Sequence, residues 1–232
     1  MSLLAGISQQ ASAITAHNDD AAAHWFEPPF SRKRGTPRPL DCSNSSSTLT
    51  GTATIINGGP DFIGAATGTT AGSTAIVAQS AGFNSGMFEG SQDHSIPPGM
   101  DCAFSFMAGV SLSAAGTARI THGKGSGDPL GRFASSWGFE FESGRVRGFW
   151  KQSASEGNTE WVPLQTVNWV HKLGLLRLGR VLSFYVGGVQ IGSDLTAAND
   201  WGTSYYRGMC AEVQNNADAL DNRIRFGRVM FS

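Results

Sequence analysis

The chain has 232 residues, of which 40% are hydrophobic, and this suffices for one large β domain or one domain with an arm. Its 17 Lys and Arg balance 18 Asp and Glu, so no overall basic field favours nucleic acid. No stretch approaches the roughly 18 apolar residues of a membrane span, and the first 20 residues lack the basic and apolar regions of a secretory signal. We therefore expect a protein that is made in the cytoplasm and is not inserted in a membrane. The three cysteines are too sparse for a disulfide scaffold and are expected as reduced thiols.

Residues 1–47 differ in composition from the rest and predict an N-terminal arm. Apolar residues recur at helical spacing near the start and indicate one short helix. Four prolines within residues 25–40 then forbid a regular helix and favour an extended segment. Two main interpretations remain, a solvated basic linker or an arm that docks on an acidic neighbour. A contact with nucleic acid is a third, less favoured because the basic cluster is short. In the docking interpretation the contacts are made by aromatic anchors and a basic cluster: Trp25, Phe26, Phe30, Arg32, Lys33, Arg34 and Arg38.

Residues 48–232 carry the pattern of a β domain. Ser43 to Ser47 are predicted to form a flexible joint that separates this domain from the arm. From Thr48 onward, short runs of Thr, Ile and Val are cut by glycines, and turn signals recur about every 8–12 residues. This spacing is typical of a β-sandwich.

The clearest prediction of local structure falls on residues 169–193, WVHKLGLLRLGRVLSFYVGGVQIGS. Apolar residues lead to a turn at Gly179-Arg180, resume over 181–186, and continue after Gly187-Gly188. A Gly-Gly pair between two apolar runs indicates a tight hairpin, because both residues adopt positive φ without steric cost. The stretch therefore predicts two antiparallel strands and the start of a third.

The same stretch resembles a segment of concanavalin A-like (laminin G-like) jelly rolls, in which a Trp precedes a strand, a turn and a second strand. Three further segments resemble that family in order and spacing: Gly86–Phe106, Trp137–Val146 and Arg223–Phe231. The resemblance implies an all-β, antiparallel two-sheet jelly-roll sandwich with an extended N-terminal arm. It also implies that Trp169 packs in the core, that Phe139 and Phe141 point inward, and that Gly144 lies at a turn.

The chain departs from the family where chemistry is concerned. Laminin G-like domains often hold calcium between loop carboxylates, but Asp93, Asp194 and Asp200 are scattered, so no calcium or other cofactor is assigned. The acidic triplet of the related glucanases, Glu-x-Asp-x-x-Glu, is absent. Glu140 and Glu142 would share one face of a strand. They are either a catalytic pair or, in the interpretation we favour, solvated carboxylates opposite Arg145 or Arg147.

Aromatic segments give the best candidates for a binding site. Exposed aromatic rings stack on sugars and anchor protein interfaces. Two polar segments contain such rings, and we assign glycan or partner binding to Trp201, Tyr205, Tyr206 and Arg207 in one and to Trp150 and Trp161, which flank the polar loop 151–160, in the other. The alternative is that these aromatic side chains pack in the core or at the edge of the sandwich.

Taken together, these features favour a non-enzymatic virion protein, such as a head decoration, a fibre or a tail component. In this hypothesis the arm docks on other virion proteins or on copies of the same chain, and a lectin-like jelly roll contacts a host-surface glycan or protein. Two alternatives remain, a free carbohydrate-binding lectin-like protein and a glycan hydrolase that uses Glu140 and Glu142.

Overall fold

The computed structural model describes residues 45–57, 62–79, 102–124, 135–164, 170–200, 209–217 and 220–231. All regular structure in these ranges is β-strand, arranged in two antiparallel sheets of eight strands each. Within the same ranges, no helix has the length and apolar character needed to cross a membrane. The predicted all-β, two-sheet fold is therefore confirmed.

The first sheet, sheet A, contains β1 (Ser45–Leu49), β4 (Thr74–Gln79), β6 (Gly116–Lys124), β7 (Ser135–Glu142), β8 (Arg145–Gln152), β9 (Ser155–Asn158), β10 (Val162–Pro163) and β15 (Met209–Asn215). Its order is β1-β4-β15-β6-β7-β8-β10, and β9 also pairs with β8. Sheet A thus combines β1, the first described strand, with β15, which is far from it in sequence. The edge beyond β8 is formed by the short strands β9 and β10.

The second sheet, sheet B, contains β2 (Thr54–Asn57), β3 (Phe62–Ala66), β5 (Cys102–Ser111), β11 (Val170–Leu178), β12 (Val181–Val186), β13 (Val189–Gln190), β14 (Leu195–Thr196) and β16 (Arg223–Phe231). Its order is β13-β12-β11-β5-β16-β3-β2, and β14 also pairs with β12. The C-terminal strand β16 lies between β3 and β5 and coincides with Arg223–Phe231, one of the segments that resemble the jelly-roll family.

The predicted hairpins of residues 170–190 are confirmed. Leu173 pairs with Val186 and Leu178 with Val181, so the register follows the apolar pattern. Gly187 and Gly188 have φ of 59° and 84°, as a type I′ turn requires at both central positions. Gly144 also has positive φ, 72°, at the predicted turn between β7 and β8.

The predicted joint is wrong over Ser45 to Ser47. These residues belong to β1, which pairs with β4 from Ser45 opposite Gln79 to Leu49 opposite Ala75. Strand pairing uses backbone groups, so a serine run suffices for an edge strand, and side-chain composition alone did not reveal it. Positions 1–44 of the predicted arm lie outside the described residues.

The core between the sheets is centred on Phe139, which is fully buried, as is Phe141. The Phe139 ring meets Phe106 and Phe184 of sheet B edge-to-face, with centroids 5.8 Å and 5.5 Å away. Gly148 lies opposite Phe139 in the register. A Cβ at Gly148 would lie 2.2 Å from Cγ of Phe184, so glycine is what lets that ring reach sheet A. The inward orientation predicted for Phe139 and Phe141 is confirmed.

A polar stack also lies between the sheets. The His122 ring stacks on Trp137 with centroids 5.1 Å apart, and the Arg177 guanidinium lies 5.0 Å from the Trp137 ring centroid. All three side chains are buried. Burial, and secondarily the charge of Arg177, lowers the pKa of His122 to about 3, so the imidazole is neutral near pH 7.

Because of His122, the free energy of unfolding should fall as the pH is lowered. The pKa of His122 is about 3 in the folded protein, against an ordinary value of 6.5 in the unfolded chain. The stabilisation that depends on the neutral imidazole is therefore complete above pH 6.5 and is lost as pH falls towards 3. The loss is on the order of 1.4 kcal/mol per pH unit within that window. We expect the free energy of unfolding, measured with denaturant, to fall less between pH 7.5 and pH 4.5 for His122→Phe than for the wild type. The Phe side chain keeps an aromatic ring against Trp137.

The half-buried His171 provides a matched control, because its pKa is lowered by burial but its ring is not enclosed. His171→Gln should retain most of the wild-type acid dependence. Equal acid losses in the wild type and His122→Phe would show that His122 does not remain neutral in the folded protein.

Candidate functional site

The outer face of sheet A carries a row of alternating charges. In the pairing register Glu212 lies opposite Arg119, Arg119 opposite Glu140, and Glu140 opposite Arg147, across β15, β6, β7 and β8. We call these four residues the charged row. Side chains alternate between the faces of a strand, and the neighbours Phe139 and Val146 are in the core, so the charged row faces away from sheet B.

Glu140 is the centre of the charged row. Arg147 donates from Nε to Oε2 at 2.5 Å, and Nη2 of Arg119 contacts Oε1. The Glu140 side chain is only 7% exposed, while Arg119 and Arg147 are 28% and 26% exposed. Both carboxylate oxygens are thus held by guanidinium groups, which is the arrangement of a structural ion-pair network.

Glu142 has a more open environment. It pairs with Arg145, whose Nε donates to Oε2 at 2.9 Å, and the two side chains are 37% and 50% exposed. The prediction that the two glutamates lie opposite Arg145 and Arg147 is confirmed by the register. The prediction that both are solvated is wrong for Glu140, because flanking strands place a guanidinium against each of its oxygens.

Trp161 lies beside this charged surface at the sheet edge. It immediately precedes β10, whose Val162 pairs with Val146 of β8 and packs against the core. Alternation therefore places the half-buried indole on the outer face. The guanidinium carbons of Arg147 and Arg145 lie 4.5 Å and 4.8 Å from its ring centroid, which is cation–π geometry.

The assignment of Trp150 as an exposed binding residue is wrong. Its side chain belongs to the core and is 6% exposed. Gly157 lies opposite in β9, and a Cβ there would lie 2.4 Å from Nε1 of Trp150. The segment 151–160 is thus not a simple polar loop. Its hairpin strand β9 carries a glycine that admits the indole.

Several assigned residues lie outside the described residues, namely Trp169, Trp201, Tyr205, Tyr206 and Arg207 together with the arm residues. Sequence reasoning missed Arg119, because its ionic partners come from other strands. In the described ranges no three His, Cys, Asp or Glu side chains are grouped to hold a metal ion. Asp194 instead accepts hydrogen bonds of 2.7 Å from Ser183 and from Gln190.

No protein-family model and no curated protein sequence matches the chain. Among solved structures, SCLam, a non-specific endo-β-1,3(4)-glucanase from family GH16, matches with TM-score 0.54 and 9% identity over 85% of this chain and 87% of that chain. The Bacillus licheniformis β-glucanase matches with TM-score 0.52 and 9% identity over 86% and 98%. Carbohydrate-binding module CBM66 from Bacillus subtilis gives TM-score 0.49 and 11% identity over 80% and 94%.

The chain spans less than half, 43%, of a botulinum neurotoxin DC binding domain that it also matches, with TM-score 0.47 and 12% identity over 82% of this chain. At such identities the two glucanase matches establish the fold alone. The chain has a concanavalin A-like jelly-roll fold, and its function must be argued from its own side chains.

Replacing Glu140 and Glu142 separately should give unequal losses of stability. Glu140→Gln leaves two half-buried guanidinium groups without the carboxylate that they share. It should lower the free energy of unfolding by about 2–3 kcal/mol, a loss between that for breaking an exposed ion pair and that for breaking a fully buried one. Glu142→Gln removes an exposed pair and should cost at most about 1 kcal/mol. Denaturant unfolding measures both, and because the two substitutions are chemically identical and lie on one strand, each controls for the other. Equal losses of unfolding free energy in the two variants would contradict the ion-pair network around Glu140.

Proposed function

We propose that this chain is a non-enzymatic glycan-binding jelly-roll domain that serves as a structural or appendage component of a virion. The observation that carries the non-enzymatic part of the proposal is the pairing of Glu140 with two guanidinium groups. A glycoside hydrolase needs one carboxyl group to donate a proton and a second to act as a nucleophile or base. Here both Glu140 oxygens accept from guanidinium groups, which favours a structural role for this carboxylate over an acid–base role.

The surface beside Glu140 supports recognition of a sugar. Trp161 supplies an aromatic ring, and Arg145, Arg147 and Glu142 place polar groups around it. Sugars expose an apolar ring face together with hydroxyl groups, and a partly exposed indole surrounded by charged hydrogen-bonding groups matches both. The sheet holds these residues side by side, because they belong to neighbouring strands or lie directly beside them.

The virion role is supported by composition rather than by the site. Residues 25–40 combine three large aromatics with four prolines and a basic cluster, as expected for a segment that docks on a neighbouring protein. The low share of charged residues, 15%, fits a chain that buries surface against other subunits. In this proposal the partners are other virion proteins or copies of the chain, and residues 48–232 face outward.

Binding should depend on Trp161. In a glycan-array measurement with the full chain, Trp161→Ala should weaken binding to every recognised glycan by about tenfold or more, since stacking against an aromatic face is lost. Tyr185→Ala is the matched control, because Tyr185 is a half-buried aromatic on sheet B. A wild-type protein that binds no glycan, or equal losses in both variants, would contradict the proposed site.

The hydrolase alternative is tested on the same polysaccharides by release of reducing ends. We expect none from the wild type. Release that is abolished by Glu142→Gln, the more exposed of the two carboxylate replacements, would overturn the non-enzymatic proposal. That variant is the informative one because its fold should be retained.

The arm should be needed for attachment and not for folding. Deleting residues 1–44 leaves β1 and its pairing with β4 intact, so the β-rich circular dichroism spectrum and the melting temperature should be retained while incorporation into particles is lost. In the full chain, replacing Trp25, Phe26 and Phe30 by Ala should have the same effect on incorporation. Normal incorporation of the truncated chain would show that attachment uses another surface.

A further inference from the structure

We propose that Arg145, Arg147 and Trp161 form a subsite for an acidic sugar, one that carries a carboxylate or sulfate group. The inference rests on the proposed glycan binding and specifies the ligand class. It starts from an inventory of hydrogen-bonding groups around the indole. Arg145 and Arg147 each direct Nε and Nη2 at a single carboxylate oxygen, Oε2 of Glu142 and Oε2 of Glu140 respectively.

A guanidinium carries more N–H donors than one carboxylate oxygen can accept. Within the described residues, Nη1 of Arg145 and Nη1 of Arg147 have no hydrogen-bond partner. The Arg145 and Arg147 side chains are 50% and 26% exposed. The unused hydrogen-bonding capacity beside the ring is therefore rich in donors.

The hydrogen-bond acceptors near the ring, the carboxylate oxygens of Glu140 and Glu142, are mostly paired already. Glu140 is enclosed, and its two oxygens are taken by Arg119 and Arg147. Glu142 retains only Oε1 without a partner among the described residues. A neutral hydroxyl group can both donate and accept, whereas a carboxylate or sulfate only accepts. The excess of donors next to Trp161 matches the second kind of group.

Charge agrees with this inventory at short range. Arg145 and Arg147 contact the ring, and the ion pairs that include them, extended by Arg119, join three arginines and two glutamates, namely Arg119, Arg145, Arg147, Glu140 and Glu142. Their sum is one positive charge. Beyond them Glu156 lies opposite Lys151, and Glu212 opposite Arg119, so the face as a whole is close to neutral. Selectivity for an anion would therefore arise from local guanidinium contacts rather than from a long-range field.

The geometry suits a sugar rather than a free anion. A guanidinium binds a carboxylate or sulfate through paired N–H groups, and the sugar ring that bears the anion can rest on the adjacent indole. Trp161 would then contribute to binding of acidic and neutral sugars alike. Arg145, the more exposed guanidinium, would discriminate between them.

The experiment compares oligogalacturonate with its carboxyl-reduced, neutral counterpart, and adds a sulfated galactan oligosaccharide as a third probe. Calorimetric titration of the full-length wild type should show at least about tenfold tighter binding to one or both acidic probes than to the neutral one, the size expected for a charge-assisted hydrogen bond. Arg145→Gln should remove that preference by lowering affinity for the acidic probes far more than affinity for the neutral probe, Arg145→Lys should restore the preference in part, and Trp161→Ala should weaken binding to every probe that the wild type binds.

Arg223→Gln is the matched control, since Arg223 is an exposed arginine that pairs with Asp221 away from this face. It should leave all affinities unchanged. Preference for the uronate alone or for the sulfated probe alone would identify the anion. Equal binding of acidic and neutral probes, or an acidic preference that survives Arg145→Gln, would overturn the subsite and leave glycan binding in place. Binding to none of the probes would overturn the subsite, and a blank glycan array would overturn glycan binding as well.

Discussion

The structure depends on the contact between Phe184 and Gly148. The two sheets of a sandwich pack face to face at about 10 Å, and large aromatic rings fill that space only where the opposite strand leaves room. Gly148 leaves that room, because a Cβ would lie 2.2 Å from the Phe184 ring. With Phe184 seated there, Phe139 packs edge-to-face against it and against Phe106. One missing side chain thus lets an aromatic cluster join the sheets.

The same packing fixes the outer face. Because Phe139 and Val146 are held inward, the alternate positions, Glu140, Arg145 and Arg147, are turned outward. A slip of one residue in register would reverse the two sets. The core therefore determines that the charged residues of β7 and β8 form a surface. The register with β6 then brings Arg119 against Glu140, where it completes an ionic network.

Glycine performs a second role at the edge of sheet A. Gly157 admits the Trp150 indole into the core, while Trp161, after the short connection, lies on the outer face against two guanidiniums. Two tryptophans close in sequence thus have opposite environments. An indole is stable in either place, because in the core it packs against apolar neighbours and on the outer face it contacts guanidinium groups.

The sequence by itself determined the local structure. Alternating apolar residues and glycine turns predicted the strands of residues 170–190, because these follow from neighbours within a few positions. The resemblance to concanavalin A-like jelly rolls implied the turn at Gly144 and the inward direction of Phe139 and Phe141. Tertiary structure decided the rest. The burial of Trp150, the membership of Ser45 in a strand and the enclosure of Glu140 by Arg119 and Arg147 all depend on residues from other strands. Which strands become neighbours is set by packing of the two sheets, and no local pattern encodes it.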